Sequence, residues 1–308
     1  MTALRAAVDD YLAIRRGLGF QLERAGQLLP DLVSYLEQAG AEHLTSELAL
    51  AWATLPTGAH PAWWRQRLGI ARGFARHLQT IDPRSEVPPD LLQAHWPRVT
   101  PYLYAPAEVA ALMEAARRLA PPLRAATCET VIGLLAVSGL RVGEALALDR
   151  ADVDLEGGIL RVRRAKHGNS REVPLHDSTS RALGDYGRLR DRHCPEPMTA
   201  AFFVAGRGLR LTSGTFQATF RTLVHRAGLE GRGERCRPRP HDLRHSFAVT
   251  TLLDWYRAGV DVDARLPLLS TYLGHVDPAA TYWYLQAAPE LLALAGRRLE
   301  QVLRELPQ

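Results

Sequence analysis

The sequence predicts a mainly α-helical protein of two domains, with one small antiparallel β-sheet in the second domain. Three observations support this prediction. A chain of 308 residues is too long for one small core and suits two domains. Apolar residues recur with helical spacing through most of the chain, for example over residues 61–81. Residues 152–176 instead alternate in polarity around Gly-Gly and Gly-Asn turns, which is typical of about three short strands.

The first domain, residues 1–81, is expected to be entirely helical. Its candidate helices lie at residues 4–18, 22–40, 46–55 and 61–81. An apolar face of the last helix is formed by Leu68, Ala71, Ala75 and Leu78. A second face of the same helix carries Arg65, Arg72 and Arg76. This basic face is either a solvated surface or a surface that follows DNA phosphates.

A linker is expected at residues 82–104, because several prolines interrupt helix formation there. The second domain, residues 105–308, then contains further helices around the strand region. These helices are expected at residues 107–120, 124–140 and 215–228, and from within residues 235–259 onward. An apolar stripe at residues 288–308 predicts a terminal helix. That helix packs either on its own domain or in a groove of a neighbouring protomer.

Composition excludes several classes of protein. No run of 18 or more apolar residues is present, so we expect no membrane-spanning helix. The N-terminus has acids at Asp9 and Asp10 and no apolar stretch, unlike a secretory signal peptide. The 3 cysteines are far apart and form neither a disulfide framework nor a CxxC metal motif. The expected location is therefore the reducing cytoplasm.

The charge balance favours a polyanionic partner. The net charge is +5 and the isoelectric point is about 9.4. Residues 1–104 are neutral overall, so the excess lies in the second domain. Lys166 is the one lysine among 38 basic residues. It is either an accident of composition or a position where arginine cannot serve, because lysine gives up a proton far more readily.

The segment PHDLRH, residues 240–245, places two imidazoles and a guanidinium at the start of a predicted helix. A zinc site resembling the HExxH motif is one interpretation, but Asp242 replaces the glutamate and Arg244 would repel the metal. Buried structural histidines are a second interpretation. An anion site is the third, because His241 and Arg244 project together from a helix N-terminus, which attracts anions.

Other segments favour the anion site. Arg141 lies in SGLRVGEAL, where it could bind phosphate or simply pair with Glu144. Lys166 lies at the turn of the predicted hairpin, before Gly-Asn. A predicted helix ends at Gly274 and exposes His275, and Tyr284 follows nine residues later.

Together these motifs resemble the active site of the tyrosine recombinase (phage integrase) family, and the resemblance covers roughly residues 105–295. It implies a C-shaped DNA clamp, in which residues 1–81 form the core-binding domain and residues 105–308 the α+β catalytic domain. It also implies no metal or other cofactor. The partners would be double-stranded DNA with paired half-sites, four protomers on DNA and, in some systems, partner recombinases. Such a protein would be cytoplasmic and associated with the nucleoid.

The resemblance assigns catalytic roles to six residues. Arg141 and Arg244 would clamp the non-bridging phosphate oxygens. Tyr284 would attack phosphorus and form a 3′-phosphotyrosyl link, leading to strand exchange through a Holliday junction. Lys166 would protonate the leaving 5′-oxygen.

The two remaining catalytic residues are histidines. His241 would bind a non-bridging oxygen or take the proton of the tyrosine, and His275 would donate to a phosphate oxygen. Glu144 would orient Arg141. Tyr282 lies two residues from Tyr284, about 200° away around a helix, so only one of them can face the phosphate. The spacing from His275 favours Tyr284.

Further arginines flank these motifs and are candidate DNA contacts: Arg161, Arg163, Arg232, Arg235, Arg237 and Arg239. Two alternative functions would also account for the positive charge. A type IB topoisomerase would share the chemistry but relax supercoils. A DNA-binding regulator would explain the charge, but not the spaced Arg, Lys, His and Tyr set.

Overall fold

A computed structural model of the chain describes residues 2–94, 100–163, 170–275, 277, 281, 282, 284, 291 and 296. Two compact units, Met1–Arg98 and Val99–Gln308, make up the chain. The predicted fold class, mainly helical with one small antiparallel sheet, is confirmed. The first unit contains α1 (Ala3–Gly17), α2 (Glu23–Gln38), α3 (Ser46–Thr54) and α4 (Pro61–Ile81).

The second unit follows the order predicted from the sequence, with additional elements. Its helices are α5 (Pro106–Arg117), α6 (Pro122–Ser138), α7 (Val142–Ala147), α8 (Asp177–His193), α9 (Ser213–Arg226), α10 (Asp242–Arg257) and α11 (Val262–Leu273). Its strands are β1 (Val153–Asp154), β2 (Ile159–Val162) and β3 (Arg171–Pro174). Both strand pairs are antiparallel, in the order β1-β2-β3.

The core of the first unit forms where apolar faces of its four helices meet. The four apolar positions predicted for α4 are all buried there. Trp52 donates its indole N–H to Asp31 at 3.0 Å. Arg67 stacks 3.9 Å above the Trp52 ring and donates to the Trp52 carbonyl oxygen, which explains why an arginine is buried in this core.

The two ends of the predicted linker pack on the units that they adjoin. Glu86 pairs with the first unit, because its backbone N–H donates to Leu44 O and its carboxylate accepts from the Ser46 N–H, both at 2.8 Å. Tyr102 and Tyr104 instead belong to the core of the second unit. Residues 95–99 lie outside the described part of the chain.

The core of the second unit is built around α6, which packs against α5, α8 and α10. Val131 and Ile132 of this helix are completely buried. The sheet adds one apolar face, since Leu160 pairs with Val173 and both are completely buried. Alternate residues of β2 and β3 therefore face the core.

Helix α8 was not among the predicted elements. It is strongly polar, and its buried face consists of little more than Leu183, Tyr186 and Arg190. Its apolar periodicity is therefore too sparse to predict a helix from sequence. No helix within the described residues is long and apolar enough to cross a bilayer.

Candidate active site

Helix α10 presents its first turn to the site. It begins at Asp242, whose buried carboxylate accepts two hydrogen bonds from Arg239, at 3.0 and 2.7 Å. His241 immediately precedes the helix and is exposed. Arg244, three residues later, is only 1% exposed. The one helical turn thus presents an imidazole at the surface and a guanidinium beneath it.

Arg244 is held by three acceptors. Its Nη1 donates to Gly139 O at 2.8 Å, and its Nη2 donates to Leu273 O and to His275 Nε2, both at 2.8 Å. Gly139 has a φ of 59°, and a Cβ there would lie 2.5 Å from Phe247, so glycine is required at this end of α6. Burial lowers the pKa of Arg244, and its interaction with Tyr284 opposes this shift.

Arg141 precedes α7 and is bound to that helix by Glu144. Its backbone N–H donates to Glu144 Oε2 at 3.0 Å, and its Nη1 donates to Oε1 at 2.6 Å. The Arg141 side chain remains 25% exposed, whereas that of Glu144 is 6% exposed. Burial raises the pKa of the Glu144 carboxyl, but hydrogen bonds from Arg171 and Arg141 outweigh it and hold the pKa below its usual range.

Backbone carbonyls at the C-terminal end of α11 accept hydrogen bonds from three arginines. The carbonyl oxygens of residues 272–274 accept from Arg171, Arg244 and Arg141 in turn, at 2.9, 2.8 and 2.9 Å. The last turn of a helix leaves such carbonyls without intrahelical partners and carries partial negative charge. The helix ends at Gly274, with a φ of 68°, as the sequence predicted.

His275 and Tyr284 adjoin this cluster. The His275 ring lies 2.7 Å from Thr281 Oγ1 through Nδ1, and burial and the nearby arginines lower its pKa to about 4. The Tyr284 ring stacks on His275 with centroids 5.9 Å apart. Tyr284 is 2% exposed and Tyr282 is 50% exposed. Of the two tyrosines, Tyr284 therefore faces the cluster.

A second histidine of α10 lies between His241 and Tyr284. The His245 ring contacts His241 at 4.7 Å and Tyr284 at 5.4 Å between centroids. Burial, followed by neighbouring positive charge, lowers the pKa of His245 to about 3. Partial desolvation by the surrounding protein, followed by the charge of Arg244, also lowers the pKa of His241. These imidazoles are thus neutral near pH 7.

Five of the six predicted catalytic residues lie around this one site. Lys166 falls within residues 164–169, outside the described residues. Beside the cluster, an open groove of about 840 Å³ is bordered by α9, α7 and residues 229–241. Arg141 and His241 reach its wall, together with Gln217, Arg221 and Arg237.

The six flanking arginines of the second unit differ in their surroundings. Arg235 and Arg237 are exposed. The other four form ion pairs within the unit: Arg161–Asp154, Arg163–Asp152, Arg232–Glu108 and Arg239–Asp242. Arg232 also lies 4.2 Å above the Tyr102 ring. Each of these four arginines thus has a carboxylate partner within the unit, and its contact with DNA stays a prediction.

The three arginines predicted on α4 belong to the first unit. Asp90 lies 3.8 Å from Arg65 and 3.3 Å from Arg72. Arg76 is exposed. Two of the three thus share one carboxylate of the segment that follows α4.

The sequence analysis missed Arg171, which donates to both carboxylate oxygens of Glu144. A signal was available, since Arg171 has the same strand parity as the buried Val173 and therefore points inward. No role was predicted for Thr281, and His245 was considered only as a buried structural histidine. Among the described residues, no group of three or more His, Cys, Asp or Glu side chains could hold a metal ion.

Residues 104–290 match the profile of the phage integrase family. The chain is 44% identical over 310 residues to integrase/recombinase y4rB of Sinorhizobium fredii, which covers 98% of each chain. It is 29% identical to the tyrosine recombinase XerC of Chlamydia trachomatis, across 74% of this chain and 67% of that one.

Solved structures with a similar fold include the Tn1549 transposon integrase in complex with transposon right end DNA. The TM-score is 0.63, with 17% sequence identity, and the match covers 98% of this chain and 100% of that chain. At this identity, the likeness concerns the fold.

Proposed function

The chain belongs to the phage integrase family of tyrosine recombinases, and from that premise we propose that it cuts and rejoins double-stranded DNA through Tyr284. The reaction joins the tyrosine oxygen to a 3′-phosphate and later transfers that phosphate to a new 5′-hydroxyl. One observation carries the proposal: the Tyr284 ring stacks on His275, which accepts a hydrogen bond from Arg244 at 2.8 Å.

Arg141 and Arg244 bind the scissile phosphate in this proposal. Both guanidiniums are oriented by backbone carbonyls at the end of α11 before substrate binds. Preorganised cations of this kind stabilise the charge that grows on the phosphoryl oxygens in the transition state. Because Arg141 is a quarter exposed, it is the arginine that phosphate reaches from the groove.

Three groups handle protons. The Tyr284 oxygen forms the new bond to phosphorus, and its proton passes to His241, which is neutral near pH 7. The bond from phosphorus to the 5′-oxygen breaks, and Lys166 protonates that oxygen. The phosphodiester energy remains in the tyrosyl ester, so rejoining needs no nucleotide hydrolysis.

His275 acts on a phosphate oxygen only after a change of partner. Its Nε2 accepts from Arg244, so the same atom cannot donate to DNA in this arrangement. A phosphate that draws Arg244 toward itself would release Nε2. We therefore assign His275 a role that begins when DNA is bound.

Recombination joins two duplexes and four cleavage sites, so we propose a tetramer on DNA with paired half-sites, formed at the nucleoid. The terminal segment, residues 288–308, is the proposed connector between protomers. Leu291 within it is 1% exposed and belongs to a core with α10 and α11. Leu291 thus packs on its own unit, and the proposed exchange concerns the residues that follow it.

Covalent capture tests the catalytic proposal. Wild-type protein is incubated with a nicked duplex that loses a short strand on cleavage, and SDS-stable adducts are measured. Tyr284→Phe should form no adduct but should bind the duplex, since only one oxygen is removed. Tyr282→Phe is the matched control and should form the adduct normally. An adduct in Tyr284→Phe would transfer the nucleophile role to another residue.

A further inference from the structure

Arg171 lies where three elements of the second unit meet. It is the first residue of β3, and its side chain is 12% exposed. Its Nε donates to Tyr272 O in the last turn of α11 at 2.9 Å. Its two terminal nitrogens donate to the two carboxylate oxygens of Glu144, at 3.1 and 2.8 Å. All three donor groups of this guanidinium are thus used inside the protein.

The strand position of Arg171 connects this anchor to the hairpin. Arg171 pairs with Val162 of β2, and among the described residues this is the last pair before the connection between the strands. In the sequence, that connection contains Lys166. A rigid contact at Arg171 therefore fixes the base of the segment that carries the lysine, relative to Glu144 and α11.

Arg171 also changes the charge that Arg141 presents. Glu144 accepts from Arg141 and from Arg171, so one buried carboxylate is shared by two guanidiniums. Without Arg171, the carboxylate would be neutralised by Arg141 alone. Arg141 would then offer less net positive charge to a phosphate.

Gly274 lies against the same guanidinium. A Cβ at Gly274 would lie 2.6 Å from Arg171 Nη1, so the absence of a side chain lets Arg171 approach the end of α11. The Gly274 carbonyl in turn accepts from Arg141 at 2.9 Å. The end of α11 and Glu144 thus each contact both arginines.

We propose that Arg171 is a positioning residue that ties the lysine-bearing hairpin to the phosphate-binding arginines. The inference rests on the proposed functions of Arg141 and Lys166. Arg171 does not touch DNA in this proposal. It aligns the proton donor with the phosphate clamp and compensates the charge of Glu144.

The test uses full-length Arg171→Gln and Arg171→Lys, and single-turnover cleavage of the nicked duplex. Loss of hydrogen bonds to a buried carboxylate should slow cleavage roughly 10- to 100-fold in Arg171→Gln. Arg171→Lys keeps the positive charge but loses the bidentate guanidinium geometry. Its cleavage rate should therefore lie between those of Arg171→Gln and wild type. DNA affinity should change less than about twofold, because the weaker charge of Arg141 affects one phosphate among the many that a duplex presents.

The matched control is Arg210→Gln. Arg210 also donates to carbonyl oxygens near a helix end, Leu146 O and Leu148 O, and pairs with Asp149. The Arg210→Gln variant should have a lower melting temperature but an unchanged cleavage rate per active molecule. Active molecules are counted by the final adduct yield on a substrate with a 5′-bridging phosphorothiolate, whose leaving group needs no acid.

Two readouts separate positioning from loss of stability. On the phosphorothiolate duplex, Arg171→Gln should recover part of its lost rate, because Lys166 is no longer required. In a Lys166→Ala background, Arg171→Gln should reduce the cleavage rate by a several-fold smaller factor than it does in wild type, because both residues act on one step. The link to the hairpin would be overturned by two results together: Arg171→Gln reduces the cleavage rate equally on both substrates, and its effect is fully additive with that of Lys166→Ala.

The outcomes for the two proposals are distinct. If Arg171→Gln and Arg171→Lys both cleave at the wild-type rate, the positioning role is wrong while the proposed function stands. If wild-type protein forms no adduct on either substrate, the proposed function itself fails. If Arg171→Gln does not fold, Arg171→Lys still decides, since its rate loss and its phosphorothiolate recovery are measured per active molecule.

Discussion

Arg244 donates through Nη2 to Nε2 of His275 at 2.8 Å, and this bond fixes the tautomer of the imidazole. A guanidinium can only donate, so Nε2 must be the acceptor. The proton of the neutral ring is then on Nδ1, which lies 2.7 Å from Thr281 Oγ1 and donates to it. Thr281 is 1% exposed, so water cannot readily replace it.

Thr281→Val should therefore weaken the orientation of His275. We expect cleavage to slow by roughly 2- to 10-fold, the scale of one neutral hydrogen bond. Side-chain nitrogen NMR of His275 should still show the Nδ1–H tautomer, because Arg244 continues to donate to Nε2. Thr271→Val is the control, because the Thr271 hydroxyl donates only to Pro267 O within α11. A wild-type cleavage rate in Thr281→Val would exclude this role.

The histidines predict how stability depends on pH. In the folded protein the pKa of His245 is about 3 and that of His275 about 4, mainly because of burial. In the unfolded chain both titrate near 6.5. The unfolded state therefore binds more protons between about pH 7 and pH 4. The free energy of unfolding should fall as the pH drops through this window, by up to about 1.4 kcal/mol per pH unit for each histidine.

The charged groups around the His275 ring support a fall in the free energy of unfolding at lower pH. Besides burial, Arg244, Arg141 and Arg171 lower the pKa of His275, and Glu144 opposes them. Denaturant titrations at pH 7.5, 6 and 5 would measure the dependence. His245→Asn should flatten it, whereas His193→Asn, at the exposed end of α8, should leave it unchanged. A stability that rises toward pH 5 in the wild type would contradict the prediction.

Periodicity allowed much of this architecture to be predicted, but contacts between distant segments were not accessible. The angular separation of Tyr282 and Tyr284 around a helix, with the spacing from His275, identified which tyrosine faces the cluster. Arg171 was missed because its acceptors, Tyr272 and Glu144, lie 101 and 27 residues away. The sequence shows an inward strand arginine, but not what it meets.

Ion pairs of these arginines within the protein could not be predicted from the sequence either. The candidate DNA-binding arginines look alike in a list of basic residues. Only tertiary structure separates Arg232, which binds Glu108 and the Leu103 carbonyl, from Arg237 at the groove. Clamping of a duplex by the two units, expected from the resemblance, stays a prediction.

This difference predicts which arginines contribute to DNA affinity. Arg237→Gln should weaken binding and reduce the slope of log K against log salt concentration by about 0.9, the value for one lost phosphate contact. Arg232→Gln should leave that slope unchanged but lower stability, because it breaks contacts to Glu108 and Tyr102. Fluorescence anisotropy at several salt concentrations, with melting curves for both variants, would measure these effects. The reverse pattern would show that Arg232 is the phosphate contact.

Lys166 is the residue on which the proposed acid step depends. Lys166→Arg keeps the positive charge but removes an accessible proton, so cleavage of ordinary DNA should slow by about 100-fold or more, the scale of general-acid catalysis. A substrate with a 5′-bridging phosphorothiolate releases a thiolate that needs no acid, so the same variant should regain most of its rate there. Tyr284→Phe is the control and should remain inactive on both substrates, because a better leaving group cannot replace the nucleophile. Ordinary DNA cleaved by Lys166→Arg at the wild-type rate would remove the acid role from this lysine, and its solitary occurrence would then be an accident of composition.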